Sequence, residues 1–237
     1  MVSSSVASVK PSKPPVIVIP TSFGGSIYSI TSKYISCTAS KLQLSTNFTY
    51  ELWFYSTSNF GTQGLFGHGP NTTGSIRMFY NFPGGSYQNK ISVQIAQANG
   101  TLQLTSTSTV TNNTWMHVAL VRNNADVTLF INGVSEATLS GYNLTTTPSS
   151  LVLFRDYTDI SQEYFSGYIT GFRLSNRAIY TTNFTPDKYQ YTITANTIVA
   201  LPVASSTAPL LDSASIPPLI ALTFSTNGCA YNTNKPT

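Results

Sequence analysis

Two Asn-Gly dipeptides, Asn99-Gly100 and Asn132-Gly133, each separate a pair of segments in which apolar and polar residues alternate. Alternation at period two sends successive side chains to opposite faces, the signature of a half-buried strand. Asn-Gly supplies the two positive-φ residues of a type I′ turn, so each pair reads as a β-hairpin. One hairpin joins the run at 90–98 to 101–105, and the other joins 127–131 to 134–139. Between them, Trp115-Met-His-Val-Ala-Leu-Val-Arg122 is apolar on both faces and is predicted to be a central strand. Further strands are expected at 150–154 and 164–175. No window carries a capped apolar stripe of helical period. Many short strands with Gly, Pro, Asn and Ser turns imply an all-β chain, a two-sheet antiparallel sandwich of the jelly-roll type.

Charge is scarce. The 237 residues include 12 Lys+Arg and 8 Asp+Glu, a net charge of +4, and two of the positives, Lys10 and Lys13, lie in a tail. Nucleic acid is therefore excluded as an electrostatically held partner. At 41% hydrophobic and 12% aromatic, the chain has enough apolar material for a core. Ser (31), Thr (33) and Asn (18) take the place of charge. No apolar run approaches the ~18 residues of a membrane span. Residues 1–20 lack the apolar stretch of a standard secretory signal. Six Asn-x-Thr sequons occur, about the five expected by chance at this composition, so they carry no argument for glycosylation. Cys37 and Cys229 form no C-x-x-C pair, which excludes a zinc knuckle. Two buried thiols or one long-range disulfide both suit them.

Three regions follow. Residues 1–22 form an extended arm containing Ser, Pro and Lys, since prolines fix φ and remove donors. Residues 23–190 carry the strand pattern. Residues 191–237 are interrupted by Pro202, Pro209, Pro217 and Pro218 and suit edge strands and a second arm.

Four blocks, in order, resemble the laminin G-like, concanavalin A-like jelly-roll modules, of the variant found in phage, large-virus and bacterial surface proteins. They are Gly25-Ser-Ile-Tyr28 with Tyr34-Ile35; Phe48-Thr-Tyr-Glu-Leu-Trp-Phe-Tyr55; Trp115 to Arg122 with Leu129-Phe-Ile-Asn-Gly-Val134; and the stretch from Tyr164 to Tyr180 with Asn183-Phe-Thr-Pro186. The resemblance implies a jelly roll over residues 23–190. Family members with calcium sites suggest Ca²⁺ ligands in the acids Asp156, Asp159 and Glu163, ahead of the closing block. The family's Asp after the closing Ile is replaced here by Thr170-Gly171.

For catalysis, a glycosidase needs two carboxylates at defined separation, and the E-x-D-x-E strand of the related glucanases does not occur; glycoside hydrolysis is the remote alternative. Glu51 beside Trp53 reads as structural, His117 as a packed histidine, and His68 as a loop residue that is either surface decoration or within reach of a ligand. Trp53 and Trp115 read as core aromatics. Glycan or protein contact is expected from the loops carrying Phe79, Tyr80, Phe82, Tyr87, Gln88 and Asn89, and from Arg155 and Tyr157, where aromatic faces sit beside amides. Function is accordingly expected to be non-catalytic. The chain is read as a structural or attachment component of a large particle, most simply a virion protein, held to other subunits through its arms. The alternative is a lectin-like, carbohydrate-binding module recognising host or cell-surface glycans, with or without Ca²⁺.

Overall fold

A computed structural model describes residues 23–30, 32–82, 85–143, 148–157, 163–188, 191–203 and 224–237. The N-terminal arm at 1–22 lies outside the described residues, as do residues 204–223 of the Pro-interrupted C-terminal segment. Among the described residues fifteen strands run in order: β1 (Ser26–Ser29), β2 (Tyr34–Thr38), β3 (Phe48–Ser56), β4 (Gln63–His68), β5 (Ile76–Tyr80), β6 (Ile91–Gln97), β7 (Gly100–Thr105), β8 (Trp115–Asn123), β9 (Asp126–Ile131), β10 (Val134–Leu139), β11 (Ser150–Leu153), β12 (Gly167–Ser175), β13 (Thr197–Leu201), β14 (Ser225–Asn227) and β15 (Ala230–Asn232). The described residues contain no α-helix, only two single 3₁₀ turns.

The strands form two antiparallel sheets. Sheet I has the order β10-β9-β8-β3-β12-β1-β15, with β13 also paired to β12; sheet II has the order β14-β2-β11-β4-β5-β6-β7. Alternation decides what enters the core. Phe48, Tyr50, Leu52 and Phe54 of β3, with Met116, Val118 and Leu120 of β8, turn inward. Ile76, Met78 and Tyr80 of β5 and Ile91, Val93 and Ile95 of β6 come from the other sheet. Tyr50 and Phe66 stack across the interface at 4.8 Å between ring centroids. Burying each such ring contributes about 2–3 kcal/mol.

The hairpin at Asn132-Gly133 has the expected form: both residues have positive φ (49° and 80°), and Ile131 pairs with Val134. At Asn99-Gly100 the turn is displaced by one residue. Gln97 pairs with Gly100, so Ala98 and Asn99 make the loop and Gly100, at φ 129°, already belongs to β7.

The outward face of sheet I is covered by a strap, the chain at 176–188. Ala178, Tyr180 and Phe184 pack on Ala119, Val121 and Phe130. The strap is pinned at Gly133, whose carbonyl accepts from the Phe184 amide, and at Asn183, whose side chain accepts from the Ser135 amide (2.9 Å each). Double coverage explains why β8 is largely apolar on both faces.

The two open sides of the sandwich are closed differently. On one side, β14 adds to β2 of sheet II and β15 adds to β1 of sheet I, with Gly228 and Cys229 between them. On the other, Glu136 of β10 accepts hydrogen bonds from the amides of Thr107 and Ser108, just beyond β7, at 2.9 and 2.8 Å. Cys37 and Cys229 are not joined by a disulfide, and burial pushes the Cys229 thiol up to about 11.

Gly133→Ala tests the strap contact. A Cβ there would collide with the Phe184 carbonyl, whereas at Gly141, with φ +79°, it would meet nothing within 4 Å. Urea unfolding is expected to show a loss of at least about 2 kcal/mol for Gly133→Ala. Gly141→Ala is expected to lose about 1 kcal/mol, the backbone cost alone.

Candidate functional site

Beneath the strap lies a polar network built from three strands. Even-numbered residues of β3 enter the core, so Thr49, Glu51, Trp53 and Tyr55 point outward. Glu51 is fully buried there. It accepts from Arg173 Nε at 2.5 Å, from Tyr180 OH at 2.8 Å, and pairs with His117 Nε2 at 3.1 Å; Arg173 Nη2 also closes on its carboxylate. Burial alone would raise the Glu51 carboxyl, but the His117 hydrogen bond and the Arg173 charge hold it below its ordinary value.

Arg173 reaches Glu51 because of a bulge. Thr170 pairs with Trp53 and Arg173 with Glu51, so Gly171 and Phe172 of β12 stand against Leu52 of β3 alone. Gly171 absorbs the extra residue at φ 57°, and a Cβ there would meet the Phe23 ring at 2.5 Å. The Thr170-Gly171 pair that replaces the family's Asp thus builds this bulge, and Thr170 Oγ1 donates to the Gly25 carbonyl at 2.8 Å.

Beside the network the outward face opens into a groove of about 480 Å³ lined by Trp53, Tyr55, Trp115, Asn113, Asn132 and Lys188, among others. Trp53 Nε1 donates to the Asp187 carbonyl (2.9 Å) and Trp115 Nε1 to Asn234 Oδ1 (3.2 Å), which fixes both indoles. Trp53 is almost wholly buried, as expected for a core aromatic, but Trp115 is half-exposed and lines the groove. The sequence carries a signal for this, since Trp115, Trp53 and Tyr55 share the parity opposite to the core residues of β3 and β8.

The residues singled out from the sequence belong to sheet II and to the chain at its ends. Phe79 and Tyr80 are buried strand residues rather than loop faces, because β5 extends through Tyr80. Tyr80 OH donates to Asn112 Oδ1 at 2.9 Å. Phe82 and Tyr87 are half-exposed and pack edge to face at 5.8 Å, while Gln88 is exposed. The Asn89 amide donates to Asn81 Oδ1 at 2.9 Å. Arg155 and Tyr157 are also buried. The Arg155 guanidinium lies over the Tyr34 ring at 4.4 Å, and Arg77 lies over Tyr157 at 4.0 Å. These cation–π contacts consume the faces that a ligand would have used.

Asp156 is buried with Arg77 at 3.9 Å, and its backbone rests on Gly64 and Gly67, where a Cβ would collide with it. Glu163 is half-buried; burial and the Asp156 charge push its carboxyl up, against Arg77. Asp159 lies outside the described residues. Among the described residues no three His, Cys, Asp or Glu side chains converge on a metal position. Arg77, beside both acids, competes with any cation there. His68 is corrected from loop to core: it ends β4 fully buried, contacts Tyr50 OH through Nδ1 and donates from Nε2 to the Pro148 carbonyl at 3.1 Å.

With this geometry in hand, comparison with known proteins places the chain. Residues 29–182 match the laminin G model of the concanavalin A-like lectin/glucanases superfamily, and the chain belongs to that superfamily. No protein of curated function matches the sequence. Among solved structures, it is similar to a candidate carbohydrate-binding protein of Bacteroides ovatus, with TM-score 0.62 and 15% identity over 90% of this chain and 61% of that one. The present chain thus spans about three-fifths of that protein's length. A heptameric SAP-like pentraxin from Limulus polyphemus aligns with TM-score 0.54 and 14% identity, over 89% of this chain and 92% of the pentraxin. The CBM40 module of a Ruminococcus gnavus IT-sialidase, bound to α2,3-sialyllactose, aligns with TM-score 0.52 and 16% identity, over 66% and 92%. At these identities the likeness is one of fold.

Acid should unfold the protein in two stages. Burial lowers His68 from its ordinary 6.5 to about 4. Its unfolded form therefore binds the extra proton first, and stability falls as pH drops from about 6.5 to 4, by about 3 kcal/mol. Glu51 and Glu136 are also depressed in the fold, so their contribution is lost on further acidification through the carboxylate range. Chemical denaturation across pH 3–8 should show both slopes, and Glu51→Gln should cost about 3–5 kcal/mol at pH 7 by leaving Arg173 uncompensated.

Proposed function

We propose that the chain is a non-catalytic glycan-binding module whose ligand enters the groove at Trp115. The observation that carries this reading is the lining: the rings of Trp53, Tyr55 and Trp115 beside the amides of Asn113 and Asn132 and the ammonium of Lys188. Aromatic rings cover the C–H faces of a sugar while amides and hydroxyls exchange hydrogen bonds with its hydroxyl groups. The described lining offers stacking and hydrogen bonding, which suit binding; glycoside hydrolysis would call on two carboxylates. Support comes from similar folds whose names concern carbohydrate, the B. ovatus protein and the sialyllactose-bound CBM40 module. The role expected from the arms, a component of a virion or other particle, joins this reading in one attachment protein. A chain with 20 charged residues in 237, several of them already buried, strands few ions when another subunit covers its surface.

A glycan array on the full chain, with and without EDTA, tests the reading. Wild type is expected to bind a subset of glycans, and Trp115→Ala, at an unchanged melting temperature, to bind them at least about tenfold more weakly. Uniform silence, or binding unaffected by Trp115→Ala, overturns it. Sensitivity to EDTA would assign calcium a part in binding.

A further inference from the structure

The groove at Trp115 has walls as well as a floor. Trp53, Tyr55 and Trp115 form the floor. Tyr168 stands beside the last two, its ring centroid 5.6 Å from Tyr55 and 6.4 Å from Trp115, so these rings make one packed cluster. The rim around them is a circuit of chain and hydrogen bonds. It starts at Asn132, whose amide donates to the His117 carbonyl and whose side chain accepts from the His117 amide, both at 2.9 Å. It passes to the strap at Pro186, which a Cβ on Gly133 would meet at 3.0 Å, and follows the strap to Lys188. There the Lys188 ammonium donates to the Thr237 carbonyl at 2.5 Å. From Thr237 the chain runs back through Pro236, which is buried, to Asn234, whose side chain accepts from Trp115 Nε1. Asn234 is itself held, its amide donating to Asn232 Oδ1 at the end of β15 (2.8 Å). Ahead of Trp115, the Asn113 amide donates to the Ser56 carbonyl at 2.9 Å and closes the end of the groove between β3 and β8.

We propose that this rim makes the groove a blind pit that takes the end of a glycan, a terminal sugar, and that the segment at 233–237 is the wall that sets this preference. The proposal rests on the glycan-binding reading and adds the ligand class. A glycan bound by an internal stretch needs an exit at both ends of its site. Here the hairpin at Asn132 bars one side, the strap a second, and the contact of Lys188 with Thr237 a third. The bound sugar keeps one free direction, away from the sheet, and a terminal sugar needs no other. The space of about 480 Å³ falls within the ~300–1,000 Å³ of small-ligand pockets. Each wall is held by the contacts named above before a ligand arrives, which lowers the ordering cost of binding. Asn234, Pro236 and Thr237 therefore act as specificity-determining residues, and Lys188 acts as the tie that keeps them in place.

The test is calorimetric titration of the full chain, first with methyl glycosides of the common hexoses, N-acetylhexosamines, fucose and sialic acid. The best-bound sugar is then offered in paired trisaccharides that carry it at the end or in the middle. The wild type is expected to bind the end-placed form at least about tenfold more tightly than the middle-placed one. Lys188→Met, which unties the strap from the segment, and Pro236→Gly, which thins the wall, should each cut that preference to about threefold or less, whatever they do to affinity itself. A role confined to stability would shift the melting temperature and leave the ratio alone. Equal binding of the two trisaccharides by the wild type overturns the blind pit and leaves the glycan-binding reading intact. A preference that survives both variants overturns the assignment of the wall to residues 233–237. If a variant fails to fold, the wild-type ratio still decides the ligand class and the other variant the wall. Silence toward every glycoside, trisaccharide and array glycan overturns the glycan-binding reading and the pit together.

Discussion

The buried pair of Glu51 and Arg173 is the constraint on which the outward half of the fold depends. A carboxylate sealed beneath the strap would cost several kcal/mol without a counter-charge, and each partner comes from a different piece of chain. Arg173 arrives only because Gly171 takes up one extra residue in β12, His117 because β8 pairs with β3 in its observed register, and Tyr180 because the strap folds back. A one-residue slip of β3 would put Glu51 into the core and Tyr50 under the strap, so the pair opposes the misregistered sheet that alternation alone would allow. Gly133 completes the arrangement by letting the Phe184 carbonyl approach the hairpin.

Scarcity of acids acquires a structural meaning. Glu51 holds the strap network, Asp156 sits against Arg77 beneath the loop on sheet II, and Glu136 ties the edge of one sheet to the chain beyond the edge of the other. These carboxylates serve as internal ties, with little charge left over for display. What faces outward around the groove is aromatic, amide and hydroxyl, chemistry whose partners are neutral and polyhydroxylated or are other protein surfaces of the same kind.

The sandwich was legible because alternation and the Asn-Gly turns are local properties, and in β3, β8 and the closing block the residue types leave little freedom. The turn at residues 98–100 was misread by one residue, because Gly100 tolerates the strand position as readily as the turn. The site was less legible. Phe79, Tyr80, Arg155 and Tyr157 have the composition of a binding loop, yet sheet pairing and cation–π stacking bury them. His68 stood in a Gly-rich stretch that resembles a loop, and the strand continued through it. Composition does not reveal which loop folds back on a sheet; the glycines at 64 and 67, which admit the backbone of Asp156, are visible as a cause only once the two are seen together. The groove was hidden for the opposite reason. Trp115 resembles core in a strand that is apolar on both faces, and its partial exposure depends on where the strap ends.

The closing segment has a mechanical consequence. Within eight residues the chain adds β14 to one sheet and β15 to the other, with Gly228 and Cys229 as the only residues between them. Tension entering the domain through this segment is divided between both sheets at once, and each short ladder runs antiparallel to its neighbour. Separating the layers at that side requires the strand additions to give way together, so the segment acts as a hasp across the open side of the sandwich. A module pulled by a tethered ligand would keep its groove in shape for as long as that hasp holds.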